Sequence, residues 1–425
     1  MLLPVLSVAR LRGKLMSKLV LKGVLVGAVI ALSPFALSMP SYAGCTTNPL
    51  TGLGCGGIII GSTSDNVTRT IAPDASGSFT ISNGASVIGT DHISGYTNVV
   101  VNVPLASLSN QGIIGVSPND YFYGIDIYAD IASITNGGTI NSYAGLVVNP
   151  DVKVGVIRNS GTIDAGDVGY GILNYSYIGI GKIINTGVIN GAFPIYNGAS
   201  IGTITNVGSI VGIEDAHNHV YAGIWNDVYY GGADGTINTL NNLQGAGNNN
   251  GPLTYQGRLP SSYNMIAYGG AYGQLAVDPS LGGPKGHSGS MMFGVFGGDA
   301  ENGIAPSQLK SGTYENVVTG VDQSSYKNVF NTSTLITSTY VNGAAFGKNN
   351  GIAWMLTDGT YRGATYNGPF GNITDPALIW DLRVLNFGLD LAQPQRGMLE
   401  RRQQAVRKDR KSTRLNSSHG YISYA

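Results

Sequence analysis

The sequence predicts an all-β chain: a right-handed parallel β-helix, or solenoid, followed by a β-rich C-terminal region. Three observations carry this. A phrase of Asn, any residue, Gly, any residue, Ile recurs from Asn110, Asn136, Asn159, Asn185 and Asn206, at steps of 26, 23, 26 and 21 residues. Self-similarity on that scale marks repeats that bury their apolar faces only by stacking. Glycine fills 63 of 425 positions, a density that interrupts any apolar spacing of helical period. Short runs of alternating polar and β-branched residues precede each phrase, the pattern of a pleated strand with one buried face.

In chain order, a basic stretch (Arg10, Arg12, Lys14, Lys18, Lys22), an apolar run over 24–37 and a small-residue end (Ser41, Tyr42, Ala43) make the three parts of a secretory signal over 1–43. Cleavage is expected between Ala43 and Gly44, with Met16 as an alternative start. Retention of the run as a membrane helix and a lipid on Cys45 are the competing readings; Pro34, Pro40 and Tyr42 argue against them. The two cysteines, Cys45 and Cys55, follow at once. In an oxidising compartment they are expected to form a disulfide within a cap over 44–70.

Residues 71–250 hold the repeats. Strands are expected before each phrase (131–134, 154–157, 180–184, 201–204), and a second set ends at Asn149, Asn174, Asn197 and Asn226. Each phrase assigns three tasks. Its Asn should tolerate a left-handed turn and bond the equivalent Asn one rung on, its Gly should supply positive φ, and its Ile should point inward. Eight or nine rungs between 71 and 243, about 4.8 Å apart, make a rod of roughly 40 Å. The interval from Asn206 to Asn226 is longer than its counterparts and carries Glu214, Asp215, His217 and His219, which reads as a loop extruded from the coil.

Charge narrows the partners. The formal net charge is zero, but the two ends are basic; residues 44–395 hold 11 basic and 22 acidic groups, net −11. Such a body repels nucleic acid and anionic membrane.

Four constellations bear on chemistry. Gly286, His287, Ser288, Gly289 and Ser290 resemble a serine nucleophile segment, but His287 replaces the expected Asp, and Ser290 breaks the G-x-S-x-G elbow. A turn into the strand at 291–296 is the simpler reading. His217 and His219 with Glu214 and Asp215 offer metal-ligand types without a spacing that fixes a third or fourth ligand. The aromatic residues around that loop, Tyr221, Trp225, Tyr229 and Tyr230, suit contact with a sugar or peptide. Asp126, Asp130, Asp151, Lys153, Arg158, Asp164, Asp167 and Lys182 are scattered and do not repeat in register, so no acid/base dyad of a polysaccharide-cleaving β-helix stands out. With no Walker, Rossmann or His-Glu zinc motif, no cofactor and no metal is expected.

Beyond Asn250 the strands turn aromatic: 253–255, 272–277, 291–296, 354–356 and 379–385. The ordered segments LTYQGRLPSSYNMI, YGQLAV, SGSMMFGVFGG and IWDLRVL resemble the C-terminal passenger region of bacterial autotransporters (type V secretion), and the upstream repeats resemble their β-helical passengers. The resemblance covers most of 71–390. It implies a β-domain over 251–390 that aids passenger folding, and a basic linker helix over 391–408 leading to an outer-membrane β-barrel. No barrel follows in this sequence. Residues 409–425 share no composition with the rest and resemble translated adapter sequence.

The expected function is therefore a non-enzymatic adhesin or aggregation factor, exported and displayed on the outer-membrane surface or released. Its expected partners are its own barrel, the outer-membrane assembly machinery, and a host surface, a glycan or sister copies. A secreted β-helical polysaccharide lyase or hydrolase, and a periplasmic structural protein, are the alternatives.

Overall fold

Parallel strands from successive repeats pair in register, and this pairing is what turns the repeats into a coil. A computed structural model of the chain describes residues 58–385, apart from 60–61, 65–68, 71–72, 75, 89–96, 116–120, 214–220, 228–234, 249, 279–286, 329–342, 350–351 and 359–365. Ala43, Gly44, Cys45, Cys55, the linker at 391–408 and the tail from 409 lie outside the described residues. So do Glu214, Asp215, His217, His219, Tyr229 and Tyr230.

Up to the turn that begins at Ser200, each turn of the solenoid contributes one strand to each of three sheets. The first sheet runs through Ser78–Ile81, Leu105–Asn110, Ile131–Asn136, Lys153–Asn159, Gly179–Asn185, Ser200–Asn206 and Thr236–Asn242. The four from Ile131–Asn136 to Ser200–Asn206 are the strands expected before the Asn phrases. The second sheet holds the short strands after each phrase, such as Thr139–Asn141, Thr162–Asp164 and Val188–Gly191. The third holds Thr97–Val101, Tyr123–Ile127, Ala144–Val148, Tyr170–Asn174, Phe193–Asn197 and Ile224–Asn226.

Among the described residues, seven first-sheet strands lie between 71 and 243, fewer than the eight or nine expected. The last interval explains the shortfall: Asn206 and Asn242 are register partners, and their turn contains two insertions, around 214–220 and 228–234. The strands beside the insertions, Ser209–Gly212 and Ile224–Asn226, keep register with the preceding rung. The coil therefore absorbs the extra residues without slipping.

The core is a set of side-chain files parallel to the coil. One runs Phe79, Leu108, Ile134, Ile157, Ile183, Ile204, Leu240, Tyr263 and Phe293. A second holds the phrase isoleucines Ile114, Ile140, Ile163, Ile189 and Ile210, all fully buried, as the sequence implied. Each such side chain stabilises the fold by about 1.5–3 kcal/mol.

The asparagines occupy an inward file of their own. In register order it reads Ile81, Asn110, Asn136, Asn159, Asn185, Asn206, Asn242, Met265. The Nδ2 of Asn110 donates to Oδ1 of Asn136 (2.8 Å), Asn136 to Asn159 (2.8 Å), Asn159 to Asn185 (2.8 Å), Asn185 to Asn206 (2.9 Å) and Asn206 to Asn242 (3.1 Å). Each amide thus satisfies a buried neighbour, the condition for tolerating a polar group in a core. The other part of the expectation fails. None of these asparagines has positive φ, so their role is the amide ladder and not a left-handed turn.

The phrase glycines also differ from expectation, since none of Gly112, Gly138, Gly161, Gly187 and Gly208 has positive φ. Close approach requires them instead. A Cβ on Gly138, Gly161, Gly187 or Gly208 would sit 2.0–2.1 Å from the carbonyl oxygen of the phrase glycine one rung earlier. That carbonyl accepts the next rung's hydrogen bond, for example from Thr162 N (2.9 Å). Gly is the residue that lets two backbones meet this closely.

A second asparagine ladder runs through the third sheet: Asn174 to Asn197 (2.7 Å), Asn197 to Asn226 (2.7 Å), then Asn226 to the Tyr255 hydroxyl (3.0 Å). Asn149 is not part of it. Val148 occupies the ladder position, opposite Asn174, and Asn149, one residue further, bonds Asp126 instead.

Parallel pairing crosses residue 250 without a break. Leu253–Arg258 pairs with Ile224–Asn226, and Ser262–Met265 with Thr236–Asn242. Antiparallel pairing enters this sheet later, where Gly312–Thr319 meets Ile379–Leu385, itself paired with Ile352–Asp358. A segment around 297–307 folds back over the outer face of the first sheet. Lys182 bonds Asp299 there (3.2 Å), Arg158 bonds Asn302, and Ile304 packs with Val207, Leu243, Ile266 and Phe296.

The second sheet ends at Ser209–Gly212, where a side chain replaces the next strand. Gln244 Oε1 accepts from Ile210 N (2.8 Å) and from Asn206 Nδ2 (3.1 Å), while its Nε2 donates to Ile210 O (3.1 Å). Gln244→Leu would leave these groups buried and unpaired. A loss of about 2–3 kcal/mol is expected, read from the urea midpoint, with the β circular-dichroism signal retained in the folded protein.

Candidate functional site: an aromatic stripe on the third sheet

The third sheet carries a recurring local pattern: an aromatic residue, a small residue, then a buried aliphatic one. It appears as Tyr123-Gly124-Ile125, Tyr170-Gly171-Ile172 and Phe193-Pro194-Ile195, and with Ala inserted as Tyr143-Ala144-Gly145-Leu146 and Tyr221-Ala222-Gly223-Ile224. The aliphatic member enters the core. The small residue faces the second sheet: a Cβ on Gly124, Gly145 or Gly171 would lie 2.5–2.7 Å from Cγ2 of Ile140, Ile163 or Ile189. The aromatic member is left half-buried on the outer surface.

Stacking the rungs joins these rings into a stripe. Centroid separations are 5.1 Å for Tyr121 and Tyr143, 5.9 Å for Tyr143 and Tyr170, 5.0 Å for Tyr170 and Phe193, and 4.4 Å for Phe193 and Tyr221. Tyr196 and Trp225, register partners one file over, widen it: Trp225 lies 5.1 Å from Phe193 and 6.0 Å from Tyr196. Val147, Leu173 and Ala144 form the floor. The stripe crosses five rungs, about 19 Å at the strand spacing.

Its electrostatics are plain. The third-sheet strands from Thr97 to Asn226 contain no Lys or Arg and one acid, Asp126. Asp126 is buried, and burial pushes its carboxyl above the ordinary carboxylate range, although bonds from Asn149 and Tyr128 pull the other way. At the far end Trp225 Nε1 donates to Asp227 at 3.5 Å.

The other charged candidates do not converge. Asp126 sits on the third sheet, Arg158 and Lys182 on the first, and Asp164 on the second. Asp164 accepts from Gly166 N within its own turn, and Asp130 from Lys153 N one rung on. Asp151 takes a left-handed turn with φ 63°. Among the described residues no group of three or more His, Cys, Asp or Glu lies within reach of a common metal ion. In the 286–290 run, His287–Ser288 pairs with Gly257 and Arg258, Ser288 is exposed, and Gly289 turns at φ 79°.

Sequence reasoning singles out only Tyr221 and Trp225 from this stripe, because it follows the loop beside them. For Tyr143, Tyr170 and Phe193 the signal is the aromatic–small–aliphatic triplet, whose spacing varies too much to read as a repeat until the rungs are aligned; Tyr121 and Tyr196 lie outside any triplet. No family model, no curated protein and no solved structure matches the chain.

Proposed function

We propose that this chain is the passenger of a Gram-negative autotransporter. It is exported by its N-terminal signal, carried across the outer membrane by a C-terminal barrel, and acts at the surface as a non-enzymatic adhesin. The observation behind this reading is the aromatic stripe. It is a preformed contact surface along the coil whose strands hold no Lys or Arg, and among the described residues no set of charged groups converges beside it. Half-exposed Tyr and Trp offer large contact area at small entropic cost, and a coil held by backbone pairing needs no rearrangement to present them. The test is display of the passenger, fused to an outer-membrane barrel, on a non-adherent bacterium. Adherence to host cells, matrix or sister cells above a barrel-only control is the expected result. Adherence equal to the control on all three would overturn the reading.

A further inference from the structure

Building on the adhesin reading, we propose that the stripe from Tyr121 to Trp225 binds a neutral glycan chain lying extended along the coil axis. Three features favour that occupant. First, the stripe offers about one ring per rung over five consecutive rungs, a repeating ligand surface suited to a repeating ligand. A pyranose presents an apolar C–H face to such rings and a rim of hydroxyls to polar neighbours. Such neighbours are present towards both ends: half-buried Asn149, after the second of the five strands, and exposed Asp227 beside Trp225. Second, charge selects against the anionic alternatives. No cation lies in these strands and the body is net acidic, so sulfated or uronic polymers are repelled. The same charge disfavours a second copy of the chain seated face to face. Third, a peptide cannot add here as an extra strand. From Tyr123–Ile127 to Ile224–Asn226 every strand of the sheet already pairs on both sides, and main-chain pairing at an open edge is what gives strand-adding peptides their affinity.

Trp225 supplies a direct readout. Of the three tryptophans, Trp354 and Trp380 are buried, and only Trp225 is half-exposed. The full chain is titrated with cellohexaose and laminarihexaose as neutral probes, with heparin as the anionic probe and a tyrosine-rich peptide as the protein-like one. The neutral glycans are expected to shift tryptophan emission, and Trp225→Phe should abolish the shift while calorimetric binding persists. Phe193→Ala should weaken calorimetric affinity about tenfold. Because Phe193 is half-buried among its neighbours, Tyr121→Ala, at a side chain 62% exposed, gives a second variant that disturbs packing less and should weaken affinity severalfold. Tighter binding of heparin or the peptide than of either glycan would overturn the proposal. So would loss of self-association, without loss of glycan binding, in the stripe variants. Failure of both glycans to bind a passenger that still confers adherence would sink this inference alone; failure of both assays would sink the adhesin reading with it.

Discussion

Gly161→Ala is expected to destabilise the coil by about 4 kcal/mol or more, one of the largest effects of any single methyl group in this chain. The added Cβ would lie 2.0 Å from the Gly138 carbonyl oxygen and 2.8 Å from the Gly137 carbonyl carbon. Both obstacles are backbone, so neither can rotate away. Relief requires two rungs to separate, which weakens the Thr162 N to Gly138 O bond (2.9 Å) and disturbs the Asn136 to Asn159 contact beside it. Overpacking ordinarily costs about 1–3 kcal/mol where side chains can adjust, and a rigid backbone neighbour places this site above that range. Gly297→Ala is the control: it has ordinary φ and nothing within 4 Å of its added methyl. Its urea midpoint should stay within about 0.5 kcal/mol of the parent. Equal effects from the two substitutions would refute the close-approach explanation.

Asn159→Ala should cost a comparable amount, about 4 kcal/mol, for a different reason. Asn159 stands in the middle of the ladder. It accepts from Asn136 and donates to Asn185, and its Nδ2 also reaches the Val188 carbonyl at 3.0 Å. Truncation leaves a buried donor on one side and buried acceptors on the other, each worth about 1–3 kcal/mol, together with a cavity between two packed rungs. Asn159→Asp should be no milder: a carboxylate can accept from Asn136 but has no N–H for Asn185, and it places a charge in the core. Replacing Asn110, at the ladder's start, strands only one amide neighbour, so Asn110→Ala should cost less than Asn159→Ala. An equal cost at both positions in denaturant titrations would contradict the cooperative ladder.

These two effects show how much of the fold is legible. The five Asn-x-Gly-x-Ile phrases identify a stacked coil, because a buried polar residue recurring in step with an aliphatic one is tolerable only where copies satisfy one another. They also fix which Ile points inward. They do not reveal why Gly is needed, since positive φ and close approach leave the same mark on a sequence. Nor do they extend the ladder to Asn242, where Leu243, Gln244 and Gly245 break the phrase although the register holds. The count of rungs fails in the same way, because two insertions share one turn without disturbing the strands beside them.

The candidate site is less legible than the fold. Its rings come from Tyr121, Tyr143, Tyr170, Phe193, Tyr196, Tyr221 and Trp225, spread over about a hundred residues with unequal gaps. Only the order of the next two residues separates Tyr170-Gly171-Ile172 from Tyr177-Ile178-Gly179, yet Tyr170 stacks at 5.0 Å on Phe193 and Tyr177 is 74% exposed. The contacts of Arg158 with Asn302 and Lys182 with Asp299 are further out of reach, joining positions more than a hundred residues apart.

By itself the sequence determined the strand repeat, the inward aliphatic files and the asparagine ladder, because each follows from alternation and from satisfying buried groups within a period. Only the tertiary structure decided which outward residues become neighbours. A solenoid places the same face of every turn about 4.8 Å from the next, so surface contacts depend on the register between turns, and register is set by the core that those surface residues do not enter.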